Sequence, residues 1–139
     1  MDSPAFENLD LTCAKAGKEI AEKPSKELEN LITDSLAVVE EQGVYALFLF
    51  LQSAKKENAK KLSDALFNFL KKVPAQRPLI SDSGGSQNGK TDVLQALEPL
   101  AEDLDKLLLA QNLLRQTLVY ARYHARMKDE EPEKQEEAK

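Results

Sequence analysis

Apolar residues recur along most of this chain at spacings of three and four, the period that stacks side chains on one face of an α-helix. In "AFENLDLTCAKAGKEIAEK" the positions are Phe6, Leu9, Cys13, Ala16 and Ile20, and Pro24 ends the helix they define. Ser25 follows, a residue whose hydroxyl can accept from a free N–H of a second helix with Leu28, Leu31, Ile32, Ser35, Leu36 and Val39 on its inner face. Gly43 interrupts that pattern without being expected to end the helix. The next stretch, "VYALFLFLQ", is apolar without a period from Val44 to Leu51. Its helical flanks predict a helix, one that either occupies the middle of a bundle or lends a face to another protein.

"KKENAKKLSDALFNFLKKVP" predicts a third helix, with Ala59, Leu62, Ala65, Leu66, Phe69, Leu70 and Val73 inward and Pro74 as its stop. Proline, three glycines and several serines then give the chain little to bury, which predicts a mobile connector over about 75–91. Asp92 and Gln95 have capping-box spacing for a fourth helix that runs through Leu94 and Leu97 to a break or kink at Pro99. A long last helix directs Leu104, Leu107, Gln111, Leu114, Leu118, Ala121 and Ala125 inward. The acid-rich "DEEPEKQEEAK" is expected to be disordered. Together these elements predict an all-α fold: a single-domain bundle of about five helices over residues 1–128, then an acidic disordered tail at 129–139.

Composition agrees with a helical domain: 139 residues, 42% hydrophobic, 31% charged and no tryptophan. With Cys13 as the only cysteine and one histidine, an intramolecular disulfide is excluded and a zinc site lacks ligands. The start, "MDSPAFENLD", has neither the basic end nor the apolar run of a signal peptide, and no apolar run approaches the ~20 residues that span a bilayer. A cytoplasmic protein is expected.

One nucleotide-binding pattern is present in letters. Gly84, Gly89, Lys90 and Thr91 in "SGGSQNGKTD" match the P-loop, but phosphates are cradled there only where a buried strand enters the loop and a helix leaves it. Only Leu79 and Ile80 precede the first glycine as apolar residues after Pro78, so ATP binding is not expected. His124, beside Tyr123, has no second histidine and no nearby cysteine with which to form a catalytic pair. Neither an enzyme nor a cofactor site is expected.

Charge changes the picture more. The net charge is −5, most of it from the tail, whose six acids face two lysines, while residues 53–77 hold seven basic residues against Glu57 and Asp64. At 100° per residue Lys56, Lys60 and Lys71 share one side of the third helix, with Phe67 among them and directed away from the core stripe. Arg115, Arg122 and Arg126 fall on a narrow arc of the last helix. Such ridges suit phosphates, and a ring suits a base or a partner; the bland alternative is a set of solubilising charges. Phe48, Phe50 and Phe67 are the aromatic candidates for a partner interface.

The order of helices, the Gly43-centred "LITDSLAVVEEQGVYALFLFLQSAKKE", the lysine-rich third helix and the closing "LEPLAEDLDKLLLAQNLLRQTLVYARYHARM" resemble the small helical subunit of type III-B (Cmr) CRISPR effector complexes. The resemblance covers roughly residues 28–72 and 92–127. Members often carry a tryptophan late in the third and last helices, where this chain has Phe69 and Tyr120, and the type III-A small subunit is the related alternative. The resemblance implies a non-catalytic subunit that stacks with copies of itself and with other effector subunits along a crRNA-guided filament and helps to hold target RNA. A helical protein-interaction adaptor without nucleic acid is the alternative that the apolar run at Phe48 and Phe50 leaves open.

Overall fold

The computed structural model describes residues 8–74, 78–80, 86–87, 90–91 and 93–138. The fold is all-α: α1 (Leu9–Ile20), α2 (Lys26–Gln42), α3 (Val44–Ser53), α4 (Glu57–Lys72), α5 (Val93–Ala101) and α6 (Leu104–Ala138), with a minimal ladder of β1 (Ser86–Gln87) and β2 (Lys90–Thr91) before α5. Among the described residues no helix is long and apolar enough to cross a membrane.

Six helices stand where about five were expected because Gly43 does end α2. Its φ of 101° and ψ of −174° lie in a region that residues with a Cβ rarely enter. Its N–H turns back to the Val38 carbonyl, and its own carbonyl accepts from Leu47 to start α3. That break takes from the Val39 carbonyl the N–H it would meet in a continuing helix, and Gln111 Nε2 of α6 donates to it at 2.7 Å. Ser25 caps α2 as its position predicts, accepting from Leu28 N at 3.0 Å.

The apolar run of α3 contacts four helices, α2, α4, α5 and α6, burying Val44, Leu47, Phe48 and Leu51, while Leu49 is 46% exposed. Phe48 is fully enclosed, and its ring meets Phe67 of α4 edge to face at 6.5 Å between centroids. Phe67 therefore belongs to the core, a correction to its expected outward direction. Leu104 is corrected too: it is 66% exposed, and the buried stripe of α6 is Ala110, Leu113, Leu114, Thr117, Leu118, Ala121 and Ala125. The break between α5 and α6 falls after Ala101, two residues beyond Pro99, where Asp103 caps α6 through Lys106 N at 3.2 Å.

Leu79 and Ile80 are buried and tied back by N–H bonds to the Val73 and Leu70 carbonyls, so this part of the expected connector belongs to the core. Asp92, Gly84, Gly85 and Gly89 lie outside the described residues. Up to Met127, where its side chains are described, the last buried residue of α6 is Ala125, and the helical backbone continues to Ala138.

α1 packs closely on α6. Gly17 lies so near that an added Cβ would stand 2.7 Å from Ala121 N and 2.9 Å from the Thr117 carbonyl oxygen. Beside it Cys13 is enclosed, its thiol 3.6 Å from the Leu113 carbonyl, and burial pushes the thiol pKa up. The native thiol is expected to resist a disulfide reagent at pH 8 and to react once urea unfolds the chain; rapid reaction without urea would contradict its enclosure. Because the folded pKa is the raised one, the stability linked to this thiol is complete below the ordinary thiol pKa of about 8.5 and is lost as pH rises from there through the folded value.

Candidate nucleic-acid interface

The α3–α4 connection sets up an opening lined by three lysines. Ala54 closes α3 with an N–H bond to the Phe50 carbonyl, Lys55 then adopts φ 56°, a conformation uncommon without glycine, and Lys56 is extended as the N-cap of α4. The result is a reversal that puts two lysines at the N-terminus of a 16-residue helix whose N-cap supplies no side-chain acceptor. An open groove of about 910 Å³ starts there, lined among the described residues by Leu51, Gln52, Lys55, Lys56, Glu57, Lys60, Ser63, Asp64 and Val93.

Lys56 and Lys60 thus come together as expected from their four-residue spacing, and Lys55 joins them. Two carboxylates share the groove. Glu57 is 3.7 Å from Lys61, which does not line the opening, while no ion pair of Asp64 is seen among the described residues. Ser63 is only 3% exposed and its hydroxyl has no hydrogen-bond partner. Lys56, Lys60, Ser63, Phe67 and Lys71 fall within an arc of about 80° on α4. One ridge therefore passes from exposed lysines to a buried ring.

The remaining candidates lie elsewhere. Lys71 Nζ stands 5.5 Å from the Phe67 ring centroid, so the ring that sequence assigned to a base or partner has Lys71 on one side and Phe48 against it. Phe48 is buried in the core, which corrects its place as an interface residue, and Phe50 is half-buried. On α6, Arg126 Nε bonds Glu29 Oε2 at 2.8 Å, joining that helix, twelve residues before its end, to the start of α2. Arg115 bonds Asn112 Oδ1 at 3.0 Å, and Arg122 is half-buried with its Nε enclosed and unpartnered. None of the three arginines lines the α4 groove.

No family model, curated protein or solved structure matches this chain.

The nucleotide-loop letters also acquire a geometry. Gln87 pairs with Lys90 and Ser86 with Thr91 in an antiparallel ladder, so Lys90 and Thr91 are strand residues and α5 begins only at Val93. In a P-loop those two residues open the helix and share its N-terminal field with the phosphates.

Lys55 and Ser63 escaped sequence reading. Lys55 was visible as the first of a basic doublet, but its aim depends on a backbone conformation that lysine seldom adopts. Ser63 shares the helical arc of Lys56 and Lys60; its burial depends on neighbours that no local pattern names.

Proposed function

We propose that this chain is a non-catalytic helical subunit that holds RNA within an RNA-guided assembly, as the resemblance to the small subunit of type III CRISPR effector complexes implies. The observation that carries this reading is the convergence of Lys55, Lys56 and Lys60 on one open groove. Flexible lysines in an open channel suit a phosphate backbone whose sequence is read elsewhere, by guide pairing. The partners under this reading are other effector subunits, further copies of the chain and the crRNA with its target, in the cytoplasm. Leu104 and Leu108, one turn apart and exposed at the start of α6, are apolar surface that a stacking neighbour would cover.

Affinity purification of the tagged chain from its native host tests the assembly. Effector proteins with a guide RNA are the expected yield. An RNA-free complex with an unrelated protein would instead select the adaptor reading, which the exposed Leu104 and Leu108 also favour.

The groove itself is tested by Lys55→Gln, Lys56→Gln and Lys60→Gln combined, which should flatten the dependence of single-stranded RNA affinity on salt by about 2 logarithmic units per unit, at about 0.7 per lost phosphate contact. Anisotropy titrations across a salt series provide the measurement, and a folded triple variant with the original slope would remove the groove from RNA binding.

A further inference from the structure

Among the described residues three buried side-chain hydroxyls, Ser35, Ser63 and Thr117, have no nitrogen or oxygen partner, and that of Thr117 has the Cys13 thiol beside it. Buried polar groups in native proteins nearly always have a hydrogen-bond partner, so each needs an explanation. Ser35 and Thr117 are 0% exposed, and no opening among those described is lined by either. Ser63 differs because it lines the α3–α4 groove together with Lys55, Lys56 and Lys60.

We propose that Ser63 is the seat of a single phosphate group in this groove, its hydroxyl donating to a phosphate oxygen while Lys55, Lys56 and Lys60 balance the charge. This inference rests on the RNA reading for its natural ligand and names the chemical group that the groove takes.

Several features select phosphate. A buried hydroxyl without an acceptor calls for a ligand that brings one, and three lysines nearby call for that ligand to be anionic. The N-terminus of α4, with no side-chain cap, lies about 9 Å along the helix from Ser63, so its dipole adds positive potential to the groove without supplying donors to the same phosphate. Glu57 and Asp64 oppose an anion; Glu57 has Lys61 as a counter-ion, which leaves Asp64 as the carboxylate that limits affinity. A divalent cation is disfavoured by the lysines, and a neutral ligand would leave them without a role.

The phosphate has two sources: an internal phosphodiester of RNA, or the terminal monoester of an RNA or free nucleotide. Backbone amide spectra of the intact chain titrated with inorganic phosphate should show saturable shifts at Lys60 and Ser63, absent in Ser63→Ala. Single-stranded RNA should bind Ser63→Ala roughly tenfold more weakly, as for loss of one charge-assisted hydrogen bond, with an unchanged salt slope because a neutral hydroxyl releases no counterion. Asp64→Asn should tighten both ligands. Equal losses for 5′-phosphorylated and 5′-hydroxyl RNA identify the diester, and a loss confined to the phosphorylated RNA identifies the monoester.

If Ser63→Ala binds RNA and phosphate like the parent, the seat is wrong, even where the triple lysine variant loses RNA and the wider reading survives. If phosphate shifts the parent but RNA does not bind, the seat stands and the RNA reading fails. The removed hydroxyl has no partner, so Ser63→Ala is expected to keep its fold, and its unfolding curve checks this before binding is compared.

Discussion

Phe48→Ala is expected to lower stability by about 3–5 kcal/mol, the cost typical of emptying a buried aromatic position. Phe48 is 0% exposed, in a helix that four others contact, and its ring packs edge to face on Phe67. Truncation removes both the transfer of the ring from water and its contacts with Phe67. The surrounding helices relax only partly into the gap, so a void adds to the loss. Domains of this size are commonly stable by only about 5–15 kcal/mol, so such a variant stands near the limit of folding at growth temperature. Urea unfolding followed by circular dichroism would show a lower midpoint with little change in slope. The same measurement bears on function: a Phe48 that met a partner from the surface would change monomer stability by less than about 0.5 kcal/mol.

The second large effect is expected at Gly17, where two helix backbones approach. The Cβ of Gly17→Ala would meet Ala121 N at 2.7 Å, Tyr120 Cβ at 2.8 Å and the Thr117 carbonyl oxygen at 2.9 Å, and two of these three atoms are backbone. Alanine favours the helix by about 1 kcal/mol over glycine, but overpacking of this kind typically costs about 1–3 kcal/mol, and with two backbone atoms in the way the upper end applies, so a net destabilisation of up to about 2 kcal/mol is expected. Gly17→Leu would separate α1 from α6 and cost roughly 3 kcal/mol or more. Thermal melts of the two variants should fall in that order. A Gly17→Ala variant more stable than the parent would mean that the α1–α6 crossing can open at little cost. Tyr120 Oη, bonded to Asp10 Oδ1 at 2.7 Å on the same pair of helices, supplies a local probe of that separation.

Both sites mark where pattern reading works and where it stops. The period of apolar residues identified all five buried residues of α2, together with its Ser25 cap, because a helix with one wet face records its orientation in sequence. It did not resolve the faces of α3, which has none that is polar, nor the second buried arc of α4 that includes Ser63 and Phe67. The candidate groove was half legible. Lys56 and Lys60 follow from spacing alone, whereas Lys55 needed an unusual backbone angle and Ser63 needed neighbours that cover it. Arg126 was legible as a charge on the surface, but its pairing with Glu29 joins residues about 100 positions apart, beyond the reach of any local period.

By itself the order of amino acids determined that this chain forms helices, where α2 begins and which of its sides is wet, since hydrogen bonding within a few residues and the transfer of apolar groups from water act locally. Tertiary structure alone decided that Gly17 is a contact between backbones, that Phe67 faces inward and that three lysines line one groove with an unpartnered serine. Each of those facts depends on the distance between segments far apart in the chain, and that distance is set by the packing of the whole core.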